Sequence, residues 1–487
     1  MTNPNYEEAR KLAEGMSVVP LSEEIYSDLR TPIQTLKILK KMSVKYYLLE
    51  SVEGGDKWGR YSYLGFDPAL EVRGKGEDIE IISNVTIKQK TSDPNSVLRD
   101  ILAQYKSPKV EGLPPFTGGF VGYFSYNYIR YAEPTLNLDL RDDGKFYDFD
   151  LLLFDKVICF DRLRQKIIVI NNIKTDNFEE NYNRGVMELD QLCSLLTKEH
   201  SYSEEYAGIK GDFKPLFSKE EYCGMVTKTK EYIREGDIFQ AVISNRLEAE
   251  FEGSLLNTYR VLRTINPSPY MFYMKYDDCE IAGASPETIV SISNSIVSTF
   301  PIAGTRKRGK TEAEDKELIS GLLSDEKELS EHNMLVDLGR NDIGKVSEYG
   351  TVHVEGYKEI LKYSHVIHIA STVRGKLKEG VDQFDALSAV LPAGTLSGAP
   401  KYRACEIISE LEGVNRGVYG GAVGYIDFKG NMDMCIAIRM ASKKNGKVYV
   451  QAGAGIVYDS VPESEYQECI NKATAMAEAI KRTSEVR

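Results

Sequence analysis

Between residues 45 and 170 the hydrophobic positions come in short runs, either alternating with polar residues or continuous, and are rich in β-branched and aromatic types. Examples are Tyr46-Tyr-Leu-Leu-Glu-Ser51, Asp78-Ile-Glu-Ile-Ile82, Val121-Gly-Tyr-Phe-Ser-Tyr126 and Lys166-Ile-Ile-Val-Ile170. Turn residues such as Gly54-Gly55 and Asp142-Asp-Gly144 separate them, which is the pattern of strands. A helix is predicted over 181–196. Residues 198–215 then lose apolar periodicity and gain Lys, Glu, Ser and Gly, so the chain divides into 1–205 and 206–487.

The second part opens on Ser218-x-x-Glu221, a capping box that predicts an amphipathic helix ending near Gly236. Strands and helices then alternate. The β-rich stretches 418–440 and 448–457 look like hairpins of an antiparallel sheet, not repeated βαβ units. The pattern is α+β.

A chain of 487 residues is long for one core, and 42% hydrophobic with 28% charged residues describes a globular protein. The net charge of -12 argues against nucleic-acid partners, which need a basic face. No apolar run approaches the length of a membrane span, and residues 1–15 lack a secretory apolar core, so no membrane and a cytoplasmic setting are expected. Seven scattered cysteines without a C-x-x-C pair indicate neither a zinc site nor a disulfide framework.

Between Pro301 and Lys472 lies a series of polar signatures that core-building does not require. They are Pro301-Ile-Ala-Gly-Thr305, Glu328-x-x-Glu331-His332, Val366-Ile-His368, Pro392-Ala-Gly-Thr-Leu-Ser-Gly-Ala-Pro-Lys401, Gln451-Ala-Gly-Ala-Gly455 and Glu465-x-x-Glu468-x-x-x-Lys472. Each Glu-x-x-Glu pair shares one helix face. One such pair alone is most often a solvated face; two of them suit a divalent metal, and Mg²⁺ takes one or two carboxylates plus waters. Gly453 and Gly455, read as a turn before the last helix, would let backbone N–H groups approach an oxyanion, or simply make the turn. Arg439 falls in the alternating run Met434-Cys-Ile-Ala-Ile-Arg-Met440, where an inward guanidinium needs an anion. Glu287 follows Pro286 at a helix start or strand end, and His368 within Val366-Ile-His-Ile-Ala370 is a core histidine or a site residue. No Ser/His/Asp or Cys/His arrangement points to covalent catalysis.

The order and wording of these segments resemble the chorismate-utilising enzymes, most closely the large subunits of anthranilate synthases. The resemblance covers most of the chain. It implies two large antiparallel sheets packed face to face with helices outside, and a regulatory part (1–205) interlocked with a chorismate-binding catalytic part (206–487). It implies Mg²⁺ held directly by Glu331 and Glu468, with Glu328 and Glu465 acting through water. Glu287 becomes the general acid for the ring hydroxyl, which requires a raised pKa. His368 would serve the elimination step or bind that hydroxyl, and Thr395 would contact the ring. Tyr419 and Arg439 would hold the enolpyruvyl carboxylate, and Gly304, Thr305, Gly453, Gly455 and Lys472 complete the substrate site. The implied reaction joins chorismate and ammonia to give anthranilate and pyruvate. Without a glutamine-hydrolysing cysteine motif, the chain would depend on a separate glutamine amidotransferase subunit for ammonia from glutamine.

Relatives that add water carry a lysine base where this chain has Gln240, which cannot serve as one. Aminodeoxychorismate synthases have lysine where this chain has Ala303. Aminodeoxychorismate formation is therefore the alternative enzyme reading, and an amino-acid sensor without catalysis the alternative of another class. The resemblance also implies feedback inhibition by tryptophan. Leu48-Leu-Glu-Ser51 and Asn266-Pro-Ser-Pro-Tyr-Met271 match the inhibitor motif, with Tyr425 on a nearby strand. Glu50 would take the ammonium, Ser51 a hydrogen bond, and Pro269, Tyr270 and Met271 would wall the indole. The motif's further contact, a lysine, falls near Tyr61, flanked by Lys57 and Arg60.

Overall fold

A computed structural model describes residues 2–51, 59–138, 140–198, 206–362 and 366–486; the turn expected at Gly54-Gly55 and the candidate Lys57 lie outside them. The described strands form two twelve-stranded sheets, and every pairing within them is antiparallel. Each sheet is built from both parts of the chain. In the first, Tyr46–Glu50 pairs with Tyr270–Lys275, placing Glu50 opposite Met271. In the second, Gly119–Phe124 pairs with Ala422–Asp427. The two parts are therefore interlocked through continuous hydrogen-bonded sheets.

Side-chain alternation along these strands generates three apolar layers. Phe272, Met274, Tyr47 and Ile281 of the first sheet meet Val121, Tyr123 and Val423 of the second between the sheets. Met271 and Tyr273 point the other way, toward the helices Lys219–Glu235, Leu256–Ile265 and Pro462–Lys481, joining Tyr222, Tyr259 and Cys469. Phe120 and Phe124 likewise face the helices Pro94–Ala103 and Gln383–Val390, meeting Leu98 and Phe384. Burial on both faces explains why a strand such as Tyr270-Met-Phe-Tyr-Met274 is apolar throughout. Each such side chain contributes roughly 1.5–3 kcal/mol.

The helix expected over 181–196 spans Phe178–Thr197. The capping box forms as expected: Glu221 N–H donates to Ser218 Oγ (3.2 Å), Ser218 N–H donates to Glu221 Oε2 (2.7 Å), and Gly236 closes the helix at φ 87°. The boundary expected over 198–215 is corrected in part, because Gly208–Pro215 is the edge strand of the first sheet. It is mostly exposed and its register shifts between Lys210 and Lys214, so no hydrophobic alternation marks it. The expected hairpins form as Ala422–Asp427 with Met432–Ile436, and as Met440–Lys444 with Lys447–Ile456. All seven cysteines are free. No described helix is long and apolar enough to cross a membrane.

Candidate active site

Two connections cross side by side from one sheet to the other. Cys279–Ser285 of the first sheet continues through Pro286 and Glu287 into Thr288–Ser293 of the second, while Met432–Ile436 returns through 437–439 to Met440–Lys444. Backbone hydrogen bonds clasp them: Ile436 N–H donates to the Glu287 carbonyl (2.9 Å), and Ala284 N–H to that of Arg439 (3.1 Å). Arg439 is thus not in a strand as expected. It occupies the crossover at φ 50°, a left-handed conformation costing a non-glycine residue about 1–3 kcal/mol. Glu287 is likewise at a crossover and not at a helix start.

Burial pushes the Glu287 carboxyl up to about 8; the Thr395 hydroxyl, which donates to Oε2 at 3.5 Å, and the Arg439 charge oppose the rise. Burial also lowers the Arg439 pKa, and Glu287 opposes that. Among the described residues, the Arg439 guanidinium has no hydrogen-bond or ion-pair partner. A cation so placed beside a carboxyl held protonated is ready for an anionic ligand.

Both residues open into a cleft of about 850 Å³. Gly304, Thr305, His368, Thr395, Tyr419, Gly453, Gly455 and Lys472 all line it, as do Gln240 and Ala303. The Pro301–Thr305 segment leads into a strand, Ile302–Lys307, with a bulge at Gly304 (φ 69°). A Cβ on Gly304 would sit 3.0 Å from Leu322 and 3.3 Å from Glu328. His368, on Val366–Lys376, places Nδ1 3.2 Å from the Gly304 carbonyl and 3.1 Å from the Thr305 hydroxyl. Because a carbonyl only accepts, the proton belongs on Nδ1 and Nε2 is the acceptor nitrogen. Burial lowers the His368 pKa, which favours this neutral form.

Gly453 and Gly455 are also corrected: they lie within the strand Lys447–Ile456 and not in a turn. Past Val450 that strand is paired on one side only among the described residues, so its other edge borders the cleft. Close packing explains the glycines. A Cβ at Gly453 would come within 2.8 Å of the Ile243 carbonyl, and one at Gly455 within 2.7 Å of Gln240 Nε2.

The two carboxylate pairs face the cleft from different helices, Glu328 and Glu331 from Glu326–Gly344, Glu465 and Glu468 from Pro462–Lys481. Glu331 is raised by burial, then by the Glu328 charge, with Glu468 adding to it; Glu465 is raised by burial and by Glu468. Arg306 pairs with Glu328 (2.9 Å), and Lys472 joins Glu468 (2.8 Å) to the Gly453 carbonyl (3.1 Å). Nothing in the sequence pattern marked Arg306 for this place. No three acidic, His or Cys groups among the described residues form a ready metal cage. The donor set, all carboxylate and crowded by like charge, nevertheless fits a hard divalent cation that keeps several waters.

A profile described as chorismate binding enzyme matches residues 45–478. This chain belongs to the chorismate-binding enzymes. Within that family, anthranilate synthase component 1 of Acetivibrio thermocellus is 46% identical, covering 100% of both chains, and that of Aquifex aeolicus is 46% identical over 99% of both. The crystal structure of anthranilate synthase component I from Streptococcus pneumoniae superposes with TM-score 0.78 at 39% identity, covering 93% of this chain and 99% of that one. The menaquinone-specific isochorismate synthase of Escherichia coli shares the fold (TM-score 0.69, 17% identity, 97% and 98% covered).

The residues that family resemblance assigned to an inhibitor are brought close together but divided between two faces of the first sheet. Glu50 and Met271 face the helices. Glu50 accepts from Arg263 Nη2 (3.1 Å), Arg162 Nη2 (3.0 Å) and the Tyr259 hydroxyl (2.6 Å), so its carboxylate is already matched, contrary to the expected ammonium contact. Ser51 is buried at the strand end and its carbonyl accepts from Arg162 (2.8 Å). Pro269 is buried just before the strand. Tyr270 and Tyr425 face the layer between the sheets, where Tyr425 packs on Phe116 (4.5 Å) and Tyr63 (6.0 Å). There Tyr270 donates to Asp433 (2.8 Å), which lies opposite Tyr425. Burial lifts Asp433 to about 6 against that hydrogen bond, and it has no ion-pair partner among the described residues. Sequence reasoning missed Asp433, whose only signal was a carboxylate in an otherwise apolar strand. Arg60, beside the place where the motif's lysine falls, is paired with Asp161 (2.7 Å).

Proposed function

We propose that the chain is the aminating subunit that converts chorismate and ammonia to anthranilate, pyruvate and water, the first committed step toward tryptophan. The observation that carries this reading is the juxtaposition of Glu287, poised near pKa 8, with Arg439, unpartnered among the described residues, in a cleft where Gln240 stands in place of the lysine base of relatives that add water. Arg439 and Tyr419 anchor the enolpyruvyl carboxylate. The strand edge at Gly453 and Gly455, with Lys472, receives the ring carboxylate. Thr305, Thr395 and His368 Nε2 orient the ring and its hydroxyl. Ammonia then adds at C2 of the ring while Glu287 delivers its proton to the C4 oxygen, which leaves as water. Loss of the C2 proton and of the enolpyruvyl group as pyruvate aromatises the ring. Glu331 and Glu468 would hold Mg²⁺, with Glu328 and Glu465 behind water. The bound ion would neutralise the ring carboxylate and withdraw electron density from the ring.

Gln240 in the cleft cannot act as a base, which disfavours water as nucleophile. Ala303 leaves apolar space where a lysine would mark aminodeoxychorismate formation. The lyase chemistry, the dependence on Mg²⁺ and the glutamine amidotransferase partner all belong to this reading. Tryptophan inhibition belongs to it too, with the layer bounded by Tyr270, Tyr425 and Ser51 as the indole site. Asp433, which has no ion-pair partner among the described residues, is better placed than Glu50 for the ligand ammonium. Anthranilate fluorescence tests the whole: it should rise with chorismate, Mg²⁺ and ammonium, stay flat with glutamine alone, and respond to glutamine once an amidotransferase subunit is added. Robust glutamine use by the isolated chain would overturn the two-subunit reading.

A further inference from the structure

Behind the cleft wall lies an ion pair that touches no substrate position. Glu412 ends the helix Lys401–Glu412, Arg416 follows four residues later, and each side chain is 1% exposed. Glu412 Oε1 accepts from Arg416 Nη2 (2.6 Å), from Ser244 N–H (2.7 Å) and from Ser244 Oγ (2.9 Å); Oε2 accepts from Arg416 Nε (2.8 Å). Arg416 also donates from Nη1 to the Leu396 carbonyl (2.8 Å) and from Nη2 to that of Val242 (2.7 Å). Its guanidinium lies 5.9 Å from the Tyr419 ring centroid. Ser244 Oγ in turn accepts from Gln451 Nε2 (2.8 Å). Val242, Leu396, Tyr419 and Gln451 all line the cleft; Glu412 and Arg416 do not.

Such a pair is a poor device for stability alone, because the desolvation of two buried charges offsets most of their attraction and an apolar replacement is often as stable. The planar guanidinium, with four N–H···O contacts fixed in one plane, does however lock three separate segments into one geometry. We propose that Glu412 and Arg416 are positioning residues for catalysis: they set the depth of the Thr395 segment, through Leu396, and of Tyr419, relative to the strands carrying Val242 and Gln451. The inference rests on the reaction proposed above, since a shift near 1 Å in such a wall costs on the order of 100-fold in turnover.

The test pairs an isosteric double variant, Glu412→Gln with Arg416→Met, with the single Glu412→Gln, which keeps an acceptor oxygen for Ser244. The double variant should remain folded, lose about 100-fold in kcat for ammonium-dependent anthranilate formation, and show faster amide exchange at 395–398. The single variant should lose about 10-fold, with KM for chorismate changed by less than about threefold. Wild-type turnover in either folded variant with unchanged exchange at 395–398 would overturn the proposal. If the double variant does not fold, the single variant decides by the same criteria. A wild-type chain that forms no anthranilate sinks the reaction and not the role of the Glu412–Arg416 pair, because the exchange at 395–398 still reports on it.

Discussion

Replacing Glu287 by glutamine should make the protein more stable while disabling it. The carboxyl has a folded value of about 8 against an unfolded 4.5. The sign follows from proton binding: between those values the folded state holds a proton that the unfolded state has released, so the wild type loses stability as pH rises, by about 1.4 kcal/mol per unit. At pH 7 the deficit is about 3 kcal/mol at most, and roughly half that once the partial exposure of the residue to the cleft is allowed for. Glutamine keeps the shape and the hydrogen bond from Thr395 and has no ionised state to avoid. Differential melting of the two proteins from pH 4.5 to 9 should show no difference at the acid end. An advantage for Glu287→Gln should then grow to about 2–3 °C near pH 8 and level off above it. In the same series kcat should fall at least about 100-fold in the variant, and wild-type activity should decline as pH rises through about 8, where the acid is lost. A variant no more stable than wild type at pH 8, with an unchanged pH–rate profile, would refute the claim that the fold keeps Glu287 protonated for use as an acid.

Glu331→Gln and Glu468→Gln should each abolish turnover and weaken the Mg²⁺ requirement while leaving the melting temperature within a few degrees; normal activity in both would make the carboxylate pairs surface features. Ala303→Lys should impair anthranilate formation by placing an ammonium beside the path of ammonia, read by fluorescence at saturating chorismate. Ser51→Phe should abolish inhibition by tryptophan and spare catalysis. Asp433→Asn should raise the tryptophan concentration for half-inhibition at least about 10-fold, the value of removing a charge-assisted contact, with kcat unchanged. Chorismate and tryptophan must weaken each other's binding by one shared factor, and competition binding in the wild type measures it.

The α+β class was legible in short β-branched and aromatic runs such as Lys166-Ile-Ile-Val-Ile170, and the capping box at Ser218 with Gly236 fixes a helix by local chemistry alone, whereas the two packed sheets were implied only by the family resemblance. The cleft residues were legible as motifs. Their backbone settings were not. Arg439 reads as a strand residue because its neighbours alternate, yet the chain leaves the sheet there, and only the pairing of two distant crossovers makes that happen. Gly453 and Gly455 read as a turn because glycines usually are, whereas they lie in a strand where the Ile243 carbonyl approaches Gly453 and the Gln240 side chain packs against Gly455. Glu50 and Met271 sit in matching motifs, but strand parity sends them away from Tyr270. The buried partners that change the meaning of a charged residue, such as Arg263 for Glu50, are remote in sequence and leave no local signature.

In the reaction proposed here the chain places nitrogen from ammonia on the chorismate ring and removes the side chain as pyruvate. Incubating the isolated chain with chorismate, Mg²⁺ and ¹⁵N-labelled ammonium, and following products by mass, tests it most directly. The expected products are ¹⁵N-anthranilate and pyruvate, with one pyruvate released per anthranilate formed. Isochorismate, an aminated product that keeps its enolpyruvyl group, or no consumption of chorismate would contradict it.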